Sequence, residues 1–240
     1  MIRAILFDFG GVIAESCWDR DSMADIVEKA FQSLGINTPV SFRTEFMNAL
    51  DDAWDRVTKT LIEERMENII SDAARRAGIL VDANIVGFAI EKLKDAPFCH
   101  IRKEAKQVLK TLKDMGLKLG IVSNSPINFH ENVLKKHGLR EYFDVVVISC
   151  DVGYRKPHSR IFEIALKALN VDPKHAMYVG DVPQIDIPGA KELGMVVVLM
   201  SKPEPVVEYL RLPKNPDDVK PDYLIDNLME LVNIVKEADF

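Results

Sequence analysis

Ile5-Leu6-Phe7-Asp8-Phe9-Gly10-Gly11-Val12 is the stretch from which the rest of the chain can be read. An apolar run from Ile2 to Phe7, broken only by Arg3, ends on a carboxylate and then on two glycines. A run that is apolar at nearly every position, rather than at every second one, is a strand covered on both faces, and the glycines behind it supply a tight turn. The stretch therefore predicts the first strand of a parallel sheet, with Asp8 at its carboxyl end.

Outward from this strand the pattern changes twice. Residues 22 to 95 carry apolar positions at helical spacing, among them Met23, Ile26, Val27, Ala30 and Phe31, and later Leu61, Ile62, Met66, Ile69 and Ile70. Breaks at Gly35-Ile36-Asn37-Thr38-Pro39 and at Gly78 divide this segment into about four helices. Beyond Ala96-Pro97 strands and helices alternate. Residues 117–122, 145–149, 176–179 and 195–200 read as short buried strands, and 104–115, 129–137, 160–169, 188–193, 206–210 and 227–236 as helices. Such alternation indicates right-handed βαβ units. The expected fold is α/β: a doubly wound parallel, Rossmann-like core sheet from residues 1–15 and 99–240, interrupted by an all-helical cap domain at 16–98.

Composition narrows the function. The chain has 240 residues, 48% of them hydrophobic, enough for a sizeable core. Its formal net charge is -6, which leaves no basic footprint for nucleic acid or an anionic membrane surface. Cys17, Cys99 and Cys150 lie far apart with no CxxC spacing, so free thiols in a reducing compartment are expected rather than a disulfide framework or a zinc site. No leader precedes the first strand and no apolar run approaches about 18 residues, so a cytoplasmic protein is expected. Monomer and homodimer are equally compatible with the sequence.

In a doubly wound sheet, ligands bind at the carboxyl ends of the strands. Asp8, Ser123-Asn124, Lys156, Gly180-Asp181 and Asp186 all fall just beyond predicted strands. Carboxylates joined by one lysine and one hydroxyl suit phosphoryl transfer through an aspartyl-phosphate. Asp8 would attack phosphorus, and Mg²⁺ on Asp8, a backbone carbonyl and acids such as Asp181 and Asp186 would screen the charge. Lys156 would neutralise the transferring oxygens, and Ser123 with nearby backbone N–H groups would bind them.

Four stretches, Phe7-Asp8-Phe9-Gly10-Gly11-Val12, Ile121-Val122-Ser123-Asn124, Gly153-Tyr154-Arg155-Lys156-Pro157 and Tyr178-Val179-Gly180-Asp181 with Asp186, together resemble the motifs of the haloacid dehalogenase superfamily, in the branch whose helical cap follows the first motif. The resemblance implies Asp8 as nucleophile and Lys156 as its catalytic partner. It also implies Ser123, Asn124 and Gly11 on the substrate side, and Asp8, the Gly10 carbonyl, Asp181 and Asp186 around Mg²⁺, with Asp181 the surer direct ligand. The activity it implies is hydrolysis of a small phosphorylated metabolite.

One position departs from the pattern. Phosphatases of this superfamily usually carry a second Asp two residues after the nucleophile, as acid for the leaving alcohol and base for water, a role worth about 10² to 10⁴ in rate. Gly10 cannot supply it. Glu15, Asp19 and Asp21 follow in the entry to the cap and could reach in, but each reads first as a solvated surface residue. The alternative is a weakened relative that binds phosphometabolites or partners without turnover. A 2-haloacid dehalogenase is disfavoured by Gly10 and the Asp181/Asp186 pair, and a phosphonate hydrolase would need a cap lysine such as Lys29 or Lys59. Trp18, Trp54, Phe42 and Phe46 could line the cap side of the cleft but read first as helix-packing aromatics. Of the five histidines, only His158 lies near Lys156 in the chain.

Overall fold

The computed structural model describes residues 1–16, 19–96, 99–201 and 220–237. Its centre is β1 (Ala4–Phe7), every residue of which is buried. The side chains of this strand part to opposite faces, as the pleat requires. Ile5 and Phe7 enter one apolar cluster, and Ala4 and Leu6 the other. That is the physical content of the unalternating pattern.

Beyond β1 the chain forms a short strand, β2 (Ala14–Ser16), and then four helices: α1 (Arg20–Ser33), α2 (Ser41–Thr60), α3 (Met66–Arg76) and α4 (Ala83–Asp95). Asp19 and Asp82 cap α1 and α4 by accepting from backbone N–H groups in the first turn, satisfying donors that a helix start leaves open. On α2 the buried positions Phe42, Phe46, Ala49, Ala53 and Val57 repeat at helical spacing, and Phe42 packs against Phe31 of α1 with ring centroids 5.5 Å apart. Phe42 and Phe46 are thus packing residues, as expected. The chain leaves this segment through β3 (His100–Ile101), which pairs antiparallel with β2, so the two crossings are tied into one ribbon.

The remainder builds the sheet. After α5 (Ala105–Asp114) come β4 (Lys118–Ser123), α6 (His130–Lys136), β5 (Val145–Ile148), the single turn α7 (Ser149–Val152) and α8 (Ser159–Leu169). Next are β6 (Ala176–Gly180), the short helices α9 (Pro183–Asp186) and α10 (Pro188–Glu192), β7 (Val196–Met200), β8 (Tyr223–Ile225) and α11 (Glu230–Glu237). The six strands run in the order β5-β4-β1-β6-β7-β8, with every pairing parallel. Phe7 pairs with Ile121 on one side and Val179 on the other, so the ends of the three central strands are level. The order reverses at β1, which places the crevice there.

The α/β class and the inserted helices agree with the sequence reading. β8 was not expected: it has three residues, only Ile225 of which is buried, too few for a pattern to show. The helix expected at 206–210 falls outside the described residues. No helix among the described residues is long and apolar enough to cross a membrane.

Candidate active site

Level strand ends deliver the site. Asp8 continues β1, its N–H donating to Val179 O at 2.8 Å, and one of its carboxylate oxygens accepts from Phe9 N–H at 2.7 Å. The other carboxylate oxygen lies 2.7 Å from Lys156 Nζ. Ser123 ends β4 and Asp181 follows β6, and each is 5% exposed.

Lys156 reaches this point from the turn between α7 and α8. Asn124 holds that turn from β4: its side-chain N–H₂ donates to Lys156 O at 2.9 Å and its side-chain oxygen accepts from Lys156 N–H at 2.8 Å. The Lys156 side chain is fully buried and uses all three of its protons. They go to Asp8 at 2.7 Å, to Asp186 Oδ1 at 2.8 Å and to the Tyr178 hydroxyl at 2.7 Å.

Asp186 is fully buried and equally committed. Its Oδ1 accepts from Lys156 and, at 2.9 Å, from Tyr178 Oη, and its Oδ2 accepts from the N–H groups of Asp181 and Val182 at 2.9 and 2.8 Å. Four donors fill the four lone-pair positions of a carboxylate. Gly180 makes the arrangement possible: a Cβ there would run into Asp186 Cβ, Cγ and Oδ2.

The charges follow from burial and pairing. Burial pushes the Asp8 carboxyl up, and Lys156 offsets that only in part. Burial alone would lower Lys156, but Asp186 and Asp8 outweigh it and hold the ammonium charged, above its usual range. Tyr178 is pushed well up, first by burial and then by Asp186, so its hydroxyl stays protonated and donates.

Asp8, Asp181 and Asp186 each offer a carboxylate oxygen, and these atoms lie within 4.8 Å of one another. An all-oxygen, anionic donor set fits a hard cation such as Mg²⁺, not a soft metal that seeks sulfur or imidazole. Asp8 and Asp181 are the better placed for direct contact, because Asp186 has no acceptor position to spare.

The structure thus brings Asp8, Lys156, Asp181 and Asp186 together, with Ser123 at the same edge. Two expected substrate contacts are redirected. The Asn124 side chain is turned to the Lys156 backbone by its oxygen and one N–H, and Gly11 N–H donates to Ala14 O at 2.6 Å, closing the turn after β1 where its φ of 77° requires glycine. Gly11 does not keep that donor for a ligand, and Asn124 keeps only its second side-chain N–H.

Glu15 is exposed, Asp19 caps α1 and Asp21 pairs with Arg43, so none of the three enters the site. Lys29 and Lys59 are exposed as well. His158 caps α8 and packs on Tyr154 rather than meeting Lys156. The histidine within reach of the Lys156 charge is His130, 1% exposed and stacked on Phe129. Tyr178 was missed, although its hydroxyl was a signal: a tyrosine inside an otherwise apolar buried strand must find a polar partner.

The model of the haloacid dehalogenase-like hydrolases matches residues 2–194. Similar relatives include proteins named glyceraldehyde 3-phosphate phosphatase from Methanopyrus kandleri, 30% identical with 99% of this chain and 98% of that one aligned, and from Methanocaldococcus jannaschii, 30% identical with 98% of each. Among solved structures, a HAD phosphatase from Thermococcus onnurineus is 26% identical, with a TM-score of 0.64 over 98% of both chains. A 2-haloacid dehalogenase from Pseudomonas syringae has the same fold at 23% identity and a TM-score of 0.64, over 99% of both chains. This chain belongs to the haloacid dehalogenase-like hydrolases.

Proposed function

We propose that this protein is a Mg²⁺-dependent phosphatase of a small phosphorylated metabolite, acting through an aspartyl-phosphate on Asp8. In this reading residues 1–15 and 99–240 form the catalytic core and 16–98 a cap over it. The observation that carries the reading is Lys156: a fully buried ammonium bridging Asp8 and Asp186 at 2.7 and 2.8 Å. Burying a lysine between two carboxylates is costly unless every proton is used, and here every proton is.

The chemistry follows from the residues. A carboxylate oxygen of Asp8 attacks phosphorus while the P–O bond to the alcohol breaks, and water then cleaves the acyl-phosphate and restores Asp8. Lys156 keeps Asp8 ionised in a site whose burial favours the neutral acid. Asn124 orients Lys156 through its backbone, Tyr178 and the N–H groups of Asp181 and Val182 fix Asp186, and Ser123, at the end of β4, would donate to a phosphoryl oxygen. Mg²⁺ held by Asp8, Asp181 and the Gly10 carbonyl would screen the repulsion between Asp8 and the phosphate dianion. With glycine at position 10, the proton for the leaving alcohol comes from water or from the substrate itself.

Because the similar relatives carry the name glyceraldehyde 3-phosphate phosphatase, triose phosphates head the substrate panel. The buried free thiols of Cys99 and Cys150 support a reducing, cytoplasmic setting. The test is hydrolysis of an aryl phosphate with Mg²⁺ by the wild type and by Asp8→Asn, followed by a panel of phosphorylated sugars, nucleotides and acids. Loss of turnover in Asp8→Asn is expected. Turnover that survives it would overturn the mechanism, and Mg²⁺ and phosphate binding without turnover in the wild type would identify a lapsed enzyme instead.

A further inference from the structure

The turn between α2 and α3, residues 61–65, descends onto the loops that carry the site. Glu63 N–H donates to Gly153 O at 2.9 Å, Arg155 N–H to Leu61 O at 3.1 Å and Met66 N–H to Pro126 O at 2.8 Å. Ile62 and Tyr154 form an antiparallel bridge beside them. The backbone contacts are joined by an ion pair, Glu63 to Arg155 at 3.3 Å, with the two side chains only 3% and 6% exposed. The second Glu63 carboxylate oxygen accepts from Ser149 Oγ at 2.6 Å, and Ser149 Oγ in turn accepts from Ser125 N–H at 2.8 Å. The Arg155 guanidinium also lies over the Trp54 ring, 4.8 Å from its centroid.

One carboxylate from the helical segment therefore grips the residue before Lys156 and, through Ser149, the loop that follows Ser123. A buried ion pair returns in attraction roughly what it costs in lost hydration, so it can break into water without a large net loss. A purely apolar lock of the same size would not reopen so readily. Loss of one partner is different, because the other charge is then left buried and alone.

We propose that Glu63 is a positioning residue: with the turn docked it sets the loops that carry Lys156 and Ser123, and when the turn lifts both loops are released. Closure of the helical segment and assembly of the site are then one event. The proposal rests on the reading of Asp8, Lys156 and Ser123 as the reacting centre.

The test uses a Trp18→Phe background, which leaves Trp54 as the sole tryptophan of the two in the chain. Glu63→Gln, Arg155→Met and the double variant are assayed for Mg²⁺-dependent aryl phosphate hydrolysis, acrylamide quenching of Trp54 and unfolding midpoint. Glu63→Gln is expected to lower kcat by about 10- to 100-fold, to leave half-saturation by Mg²⁺ within about twofold, and to increase quenching of Trp54. The double variant is expected to be no worse than the poorer single one, since neither charge is left unpaired. Unchanged kcat, additive losses, or a lower midpoint with kcat and quenching unchanged would overturn the proposal. If the wild type shows no Asp8-dependent hydrolysis, the reading of the centre fails, and the quenching data alone still decide whether Glu63 holds the turn.

Discussion

Gly10→Asp tests the one place where this chain departs from the phosphatase pattern. The backbone will accept the change: Gly10 is not among the residues in the left-handed region, and a Cβ built there meets nothing within 4 Å. Reduced freedom of the unfolded chain adds about 0.4–1 kcal/mol of stability at such a position. Charge works the other way, because the new carboxyl joins Asp8, Asp181 and Asp186 around a single Lys156. Two like charges about 6 Å apart at an effective dielectric of about 20 repel by about 3 kcal/mol, a pKa rise of about two units. The new group would then titrate at about 6, so about a tenth of it holds a proton at pH 7 and more below that, the share that acts as general acid. The expected gain in kcat/KM is about 10² to 10⁴ for an alkyl phosphate, or about 3 to 5 kcal/mol of barrier, and less than about tenfold for an aryl phosphate whose leaving group needs no proton. Steady-state kinetics on one ester of each kind, at saturating Mg²⁺, measure the difference. Equal gains on both, or none on either, would show that another group already fills the role.

Two further outcomes follow from buried contacts. His130 is 1% exposed and its Nδ1 has no partner, and burial, helped by the Lys156 charge, lowers its pKa from 6.5 to about 3. The unfolded chain takes up this proton near 6.5 and the folded chain does not until about 3, so stability is lost as pH falls through that window, by about 2 kcal/mol between pH 7.5 and 5. His130→Phe should flatten the pH dependence of urea unfolding by that amount, and an unchanged slope would mean that the imidazole is protonated when folded. Gly180→Ala places a methyl against the Asp186 carboxylate, so it should cost about 1–3 kcal/mol in urea unfolding and lower kcat by at least about tenfold. Wild-type kinetics from this variant would mean that Asp186 need not be held as observed.

The fold and most of the site were legible because their signals are local. Chemistry-bearing residues behind short apolar strands become neighbours as soon as the strands are parallel and in register, and the periods of the apolar runs state that they are. Signals that depended on contact across elements were lost. Asn124 was read as a ligand because its partner, the backbone of Lys156, lies 32 residues on. His158 stands two residues from Lys156 in the chain, yet a helix cap claims its ring, so sequence distance is a poor guide to the site.

By itself the sequence determined the α/β core, the helical insertion and the gathering of Asp8, Ser123, Lys156, Asp181 and Asp186 at one sheet edge, since each follows from strand periodicity and the rule that parallel strands end together. Only the tertiary structure decided how the lone-pair and proton inventory is shared: that Tyr178 and two backbone amides join Lys156 in saturating Asp186, that Asn124 serves the Lys156 turn, and that Glu63 reaches across to Arg155. Hydrogen bonds form over about 3 Å between groups far apart in the chain, and no spacing along the chain records which donor arrives first.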